Sequence, residues 1–331
     1  MKLGLESFST RHSGLDPVGT LDLAAGLGLN GVLFELTPFS SFREADLKAV
    51  RAHAEKKGMY VEFGMGSIFR WHPMAEKGRK LLAEAGYDAK ASEAGVVIQH
   101  LHVAQKLGSP FMRIVAGNLF TRDEGHDMAK LADDAVAILR EACKAAEDMG
   151  MKIAMEDHAD FTVREMASIL AQVNSPAMGF TLDTANLAFD LDDPLRLAGI
   201  MAPYVLTTHF KNYRIVRTEA GLALENCALG DGEIDVKAIA GMLKPGVNLN
   251  IEIHTQFSPF RLDILDRAWS GRHPAPPGDG LAWYLARCWK KDILKKMPDG
   301  LPDGKEAWAV EHEHLKQSVR WARQNLSDIL S

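Results

Sequence analysis

Eight short apolar runs, each suited to a β-strand, recur along this chain, and helical patterns separate them. The runs are KLGLES (2–7), GVLFEL (31–36), YVEFGM (60–65), FMRIVA (111–116), KIAMED (152–157), MGFTLD (178–183), VLTTHF (205–210) and LNIEIH (249–254). DPVGTLDLAAGLG (16–28) has Pro near its start and Gly at its end. DMAKLADDAVAILREACKAAEDMG (127–150) repeats apolar residues at three- and four-residue spacing and also ends in Gly. Strands alternating with helices predict an α/β fold, and eight of them fit a closed (β/α)8 TIM barrel. A doubly wound sheet is the competing architecture, but nothing here resembles its Gly-rich phosphate loop. The chain reads as one domain, 1–331, with a barrel core at about 1–256 and a C-terminal loop and helices, 257–331, closing the barrel.

Composition narrows the partners. A net charge of −6 over 331 residues supplies no basic field for nucleic acid or anionic lipid. No apolar run approaches the roughly 18 residues that suggest a membrane span. The N-terminus begins directly with a strand-like alternation and shows no signal-peptide pattern. Cys143, Cys227 and Cys288 are odd in number and widely spaced, as expected of reduced thiols in a cytoplasmic protein.

Three predicted loops are long: 66–92, 211–234 and 255–280. Each follows a strand, so a barrel places all three at its C-terminal mouth. Trp71 and His72 in the first suit a cap over a ligand. Phe257, Phe260, Arg261 and Trp269 in the last suit a lid or a contact between copies in a homo-oligomer; surface packing accounts for them equally well. The final helical pattern repeats Leu315, Val319, Ala322, Leu326 and Ile329, a stripe suited to docking on the barrel. EHEH at 311–314 is expected on a solvated surface, because consecutive helical residues share no face.

Strand side chains alternate between faces, and the outer face of a barrel must be apolar to receive its helices. Leu249, Ile251 and Ile253 form such a set, leaving Asn250, Glu252 and His254 for the lumen. The same parity turns inward His209, Thr181 with Asp183, and Glu156 with His158. Asp157 falls outside that set and suits a turn or cap. Glu6, Glu35 and Glu62 face inward in the first half, as does Arg113 in one phase of its strand. A barrel lumen is ordinarily filled by branched apolar side chains. Ionisable groups there predict a polar site, because buried charges need partners or a metal.

Glu156, Asp183, His209 and Glu252 end four consecutive predicted strands, about 4.8 Å apart in a barrel. Three carboxylates and one imidazole suit a divalent cation, Mn2+ first and Mg2+, Co2+ or Zn2+ as alternatives. Independent salt bridges to Lys and Arg are the plainer explanation of each residue taken singly. Lys211, two residues beyond His209, suits a substrate carboxylate, phosphate or oxyanion. His158, His254 and Arg214 are further substrate-binding candidates.

The segments MEDHADFT, FTLDTANLAFD, TTHFKNYR, LGDGEID and NIEIHTQ, with FMRIVAG and GVLFEL, resemble the xylose-isomerase-like TIM-barrel superfamily in its sugar phosphate isomerase/epimerase branch. The resemblance covers roughly 1–256. It implies Glu156, Asp183, His209 and Glu252 as metal ligands, with Glu156 and Glu252 as the catalytic pair that shuttles protons. It implies a metal-dependent isomerase or epimerase of a small sugar, keto-sugar or sugar acid, working through an enediolate.

One departure matters. Ketose epimerases of this kind tend to carry a histidine three residues beyond the strand-six aspartate, where this chain has Asn186. A lyase of a keto-sugar acid (decarboxylase, dehydratase or β-eliminase) is therefore the alternative, and a non-enzymatic sugar-binding protein a further one. Apurinic-site endonucleases of the same superfamily add histidines from earlier strands. Those strands end without histidine here.

Overall fold

A computed structural model describes residues 1–255 and 257–330; Gln256, which ends the NIEIHTQ motif, and Ser331 lie outside the described residues. The strands in chain order are β1 (Leu3–Glu6), β2 (Gly31–Phe34), β3 (Tyr60–Ser67), β4 (Phe111–Val115), β5 (Lys152–Glu156), β6 (Met178–Asp183), β7 (Val205–Phe210), β8 (Asn212–Thr218), β9 (Leu222–Cys227), β10 (Asn248–Ile251), β11 (Phe260–Leu262) and β12 (Ile293–Leu294). β1 to β7 and β10 close into a parallel barrel in the order β1-β10-β7-β6-β5-β4-β3-β2. This is the (β/α)8 barrel that the alternation predicts.

Local sequence explains the elements. Helix Pro17–Gly26 starts where the Asp16 side chain accepts the Gly19 N–H. Helix Met128–Asp148 is capped by Asp127 and buries Leu131, Ala135, Leu139, Ala142 and Ala146. Thr162 and Glu165 form a reciprocal capping box at the start of helix Val163–Val173. The apolar parity sets pack under these helices: Leu5, Phe34, Phe63, Ile153, Met155, Phe180, Leu182 and Ile251 are all buried. Among the described residues no helix is long and apolar enough to cross a membrane.

The lumen is polar from its floor upward. The Tyr60 ring fills the space that Gly4 and Gly31 leave: a Cβ on either would lie 1.9 Å or 2.3 Å from the tyrosine. Its hydroxyl donates to Asn250 Oδ1 at 2.7 Å. Above it the Glu62 carboxylate accepts from Thr207 Oγ1 (2.6 Å), Asn248 Nδ2 (2.6 Å) and Asn250 Nδ2 (2.9 Å). These bonds tie β3 to β7 and β10 across the barrel.

Four expectations need correction. The eighth barrel strand ends at Ile251, so Glu252 and His254 stand just past it. The stretch 211–234 is no loop: β8 and β9 form an antiparallel hairpin, joined by β11 and β12 in a four-stranded sheet. Tyr213 and Ile215 are its buried alternate residues, and Gly221 (φ 149°) passes so near β11 that a Cβ would meet Leu262 O at 2.5 Å. The stretch 66–92 contains a helix, Glu76–Glu84. Finally, Glu311 is buried: it pairs with Arg11 at 2.6 Å, where helix Lys305–Asn325 docks on the segment after β1. Leu315, Val319, Ala322 and Leu326 of the predicted stripe are all buried.

The floor yields a stability prediction. Glu62→Ala strands the buried donors of Thr207 and Asn250 and the half-buried one of Asn248, and should lower stability by about 3 kcal/mol. Thermal or urea melting checks this, and a wild-type melting profile would contradict the structural role given to Glu62.

Candidate metal centre and cavity

Parallel strands in register bring the charged ends together. Asp183 pairs laterally with His209, and His209 with Asn250, two residues before Glu252. The ligand atoms of Glu156, Asp183, His209 and Glu252 lie within 4.8 Å of one another, and all four residues are buried. They belong to a longer chain of alternating charge. Arg113 donates to Glu156 Oε2 and to Met65 O (3.2 Å). His209 Nδ1 lies 2.9 Å from Glu156 Oε1 and 2.9 Å from Glu252 Oε2. Lys211 Nζ lies 3.2 Å from Glu252 Oε1 and 2.7 Å from Asp183 Oδ2.

Neighbouring backbone fixes the ends of this chain. Asp183 Oδ1 accepts the N–H groups of Ala185 and Asn186, each at 3.0 Å. The Asp183 N–H donates to Asp157 Oδ1 at 2.7 Å, and Asn186 Nδ2 donates to Asp157 O at 2.8 Å. Asp157, expected in a turn or cap, is thus the brace behind Asp183. Lys211 is anchored through Thr184: the Lys211 N–H donates to Thr184 Oγ1 (3.0 Å), which donates to Lys211 O (2.6 Å).

Burial and charge oppose each other here. Burial pushes the Glu156 carboxyl up, but Arg113 and then His209 outweigh it and hold it below the usual carboxylate range. Glu252 is likewise pushed up by burial and pulled well below by Lys211 and His209. Asp183 is raised to about 6: burial raises it, Lys211 opposes, and the two glutamates raise it further. Burial lowers His209, yet Glu156 and Glu252 lift it well above its ordinary value.

The donor set fits a divalent cation. Among the described residues, Asp183 Oδ2, Glu252 Oε2 and His209 Nδ1 are buried without an aligned hydrogen-bond partner, despite the ion pairs around them. Carboxylate oxygens and one imidazole nitrogen, turned toward one point, are ligands for a cation of intermediate hardness.

Above the four residues opens a cavity of about 490 Å3. Lys211, His158 and His254 line it, as do Asn186, Glu6 and Arg113. His158 is oriented by Nδ1 against Gly117 O at 2.7 Å. His254 packs its ring among Phe8, Tyr213, Phe257 and Phe260. Burial, then Lys211, hold it well below the ordinary histidine value, so it is neutral. Arg214 does not line the cavity. It sits on the hairpin surface, paired with Asp231 (3.0 Å) and Glu225 (3.6 Å), because strand alternation buries Tyr213 and turns its neighbour outward. Trp71 is 44% exposed and stacks on His126, and buried His72 caps Pro73–Ala75. The loop after β3 reaches the cavity instead through Pro73, Met74 and Lys77. Phe257 and Phe260 from the 255–280 stretch line it too.

Sequence reasoning missed Tyr213, Lys77 and Phe8 as cavity residues. Only the alternation of YRIVR, read as a strand, could have found Tyr213. Lys77 lies in the first turn of an ordinary amphipathic helix and carries no such signal.

Known proteins place the chain. A family model described as xylose isomerase-like TIM barrel matches residues 21–255. An uncharacterized protein of Escherichia coli (strain K12), YihM, is 25% identical over 198 residues, 59% of this chain and 58% of YihM, so the match spans less than two thirds of that protein. A 3-oxo-isoapionate decarboxylase of Pectobacterium atrosepticum is 23% identical over 209 residues, 60% of this chain and 73% of that one. The crystal structure of a D-psicose 3-epimerase with D-tagatose, from Clostridium cellulolyticum H10, superimposes with a TM-score of 0.61 over 98% of this chain and 99% of that one, at 15% identity. At that identity the likeness is one of fold. With 21–255 matched and the barrel closed by eight parallel strands, the chain belongs to the xylose isomerase-like TIM-barrel family.

Proposed function

We propose that this protein is an enzyme of a small keto-sugar or sugar acid, with a divalent cation, Mn2+ first, held by Glu156, Asp183, His209 and Glu252. The observation that carries the reading is that both glutamates reach one imidazole nitrogen, His209 Nδ1, each at 2.9 Å, with His209 and Glu252 on the wall of the cavity. When bound, the cation supplies Lewis acidity to a carbonyl oxygen and its neighbouring hydroxyl. The protein residues do the rest. A carboxylate beside the cavity takes the proton from the carbon next to the carbonyl, and the other returns one. His158, fixed by Gly117 O, and Asn186 hydrogen-bond the hydroxyls. This is isomerase or epimerase chemistry, as carried out by the D-psicose 3-epimerase that shares the fold.

A second reading, a lyase of a keto-sugar acid, has its own support. Arg113 sits on Glu156 and Lys211 on Glu252, and both carboxylates are the less basic for it. Departure of CO2 from a β-keto acid needs no carboxylate base, and a relative bears the name of a decarboxylase. NMR of keto-sugars and keto-sugar acids with Mn2+-loaded protein in D2O separates the two. Deuterium uptake beside the carbonyl with all carbons retained supports the isomerase or epimerase. Release of CO2 or water supports the lyase, and no turnover of any of them contradicts both.

Two further outcomes are expected. Glu156→Gln and Glu252→Gln should each lower turnover by about 100-fold or more and reduce bound metal; metal content and turnover near wild type in both would refute their roles. Metal affinity should also depend on pH. In the metal-free protein His209 is held protonated between the two glutamates, and it must lose that proton to become a ligand. Affinity should therefore rise with pH, by up to about tenfold per unit while His209 remains protonated. Calorimetric titration with Mn2+ at several pH values reads this slope, and an affinity independent of pH would contradict it.

A further inference from the structure

We propose that the substrate is a carboxylic acid, and that its carboxylate docks in a pocket formed by Lys211, Tyr213 and His254. The inference rests on the metal-dependent reading above. Its first support is geometric. All three residues are buried, and all three line the same cavity. Among the described residues, Tyr213 Oη and His254 Nε2 have no hydrogen-bond partner. Buried polar groups are rarely left so, and each unmet donor costs stability. Tyr213 and His254 are ring neighbours, with centroids 6.2 Å apart. Tyr213 also follows Lys211 by two residues. A hydroxyl, an imidazole N–H and an ammonium beside one cavity make a donor set for an anion.

Charge points the same way: the Lys211 ammonium is buried on the cavity wall beside the Tyr213 and His254 donors, and a cation so placed strengthens hydrogen bonds to an anionic oxygen.

Lys211 touches two proposed ligands, so its replacement would disturb the metal as well. Tyr213→Phe removes only the hydroxyl and keeps the ring. The test is calorimetric binding to Mn2+-loaded protein of 5-keto-D-gluconate, D-fructose and D-fructose 6-phosphate, with wild type and Tyr213→Phe. The acid should bind about tenfold or more tightly than D-fructose. Tyr213→Phe should lose about fivefold or more of that preference, with Mn2+ affinity unchanged. Equal binding of acid and neutral sugar, tightest binding of the phosphate, or a preference untouched by Tyr213→Phe overturns the pocket. Mn2+ bound without such discrimination overturns the pocket alone. Failure to bind Mn2+ overturns the metal-dependent reading and the pocket with it.

Discussion

Three carboxylates, Glu156, Asp183 and Glu252, converge at one end of a barrel lumen, and the rest of the interior answers to that fact. At such separations they repel strongly in a medium of low dielectric. The protein interleaves them with cations, in the order Arg113, Glu156, His209, Glu252, Lys211, Asp183. Each carboxylate thus meets a positive partner, and each cation is buried only because it has carboxylates to face. Removing one partner would leave another charge buried alone, the costly case for ion pairs of this kind.

The chain of charge needs its strands held in register, and the polar layers below do that. Thr207 and Asn250, two residues before His209 and Glu252 respectively, share the Glu62 carboxylate. Side chains of β3, β7 and β10 therefore fix the lateral position of two of the four proposed ligands from beneath. Asp157 and Asn186 brace Asp183 from behind. A lumen filled with branched apolar side chains offers no such directional fixing. Hydrogen bonds hold a given register because a slip of one residue turns every lumen side chain to the outer face.

Much of this was legible in the sequence, and the reason is strand parity. A barrel has one face that must be apolar, so GVLFEL or LNIEIH identifies its own inward residues without any knowledge of neighbours. Glu156, Asp183, His209 and Glu252 emerge this way, as does the inward Arg113. What escaped did so for physical reasons. The β8–β9 hairpin lies outside the barrel and its strands are partly exposed, so YRIVR reads as a loop, and Arg214 rather than Tyr213 stands out as the site candidate. Glu311 looked solvated because its partner Arg11 lies three hundred residues earlier in the chain. Local periodicity carries no information about such a pairing. The brace by Asp157 was hidden for the same reason: it depends on the backbone of the next strand.

Everything functional rests on one claim, that the four strand ends bind a divalent cation together. The most direct measurement is anomalous diffraction at the manganese edge from crystals of the protein soaked in Mn2+. One strong peak is expected, bounded by Glu156, Asp183, His209 Nδ1 and Glu252, each about 2.0–2.4 Å away. No peak there, with Lys211 and His209 still bridging the carboxylates, would contradict it.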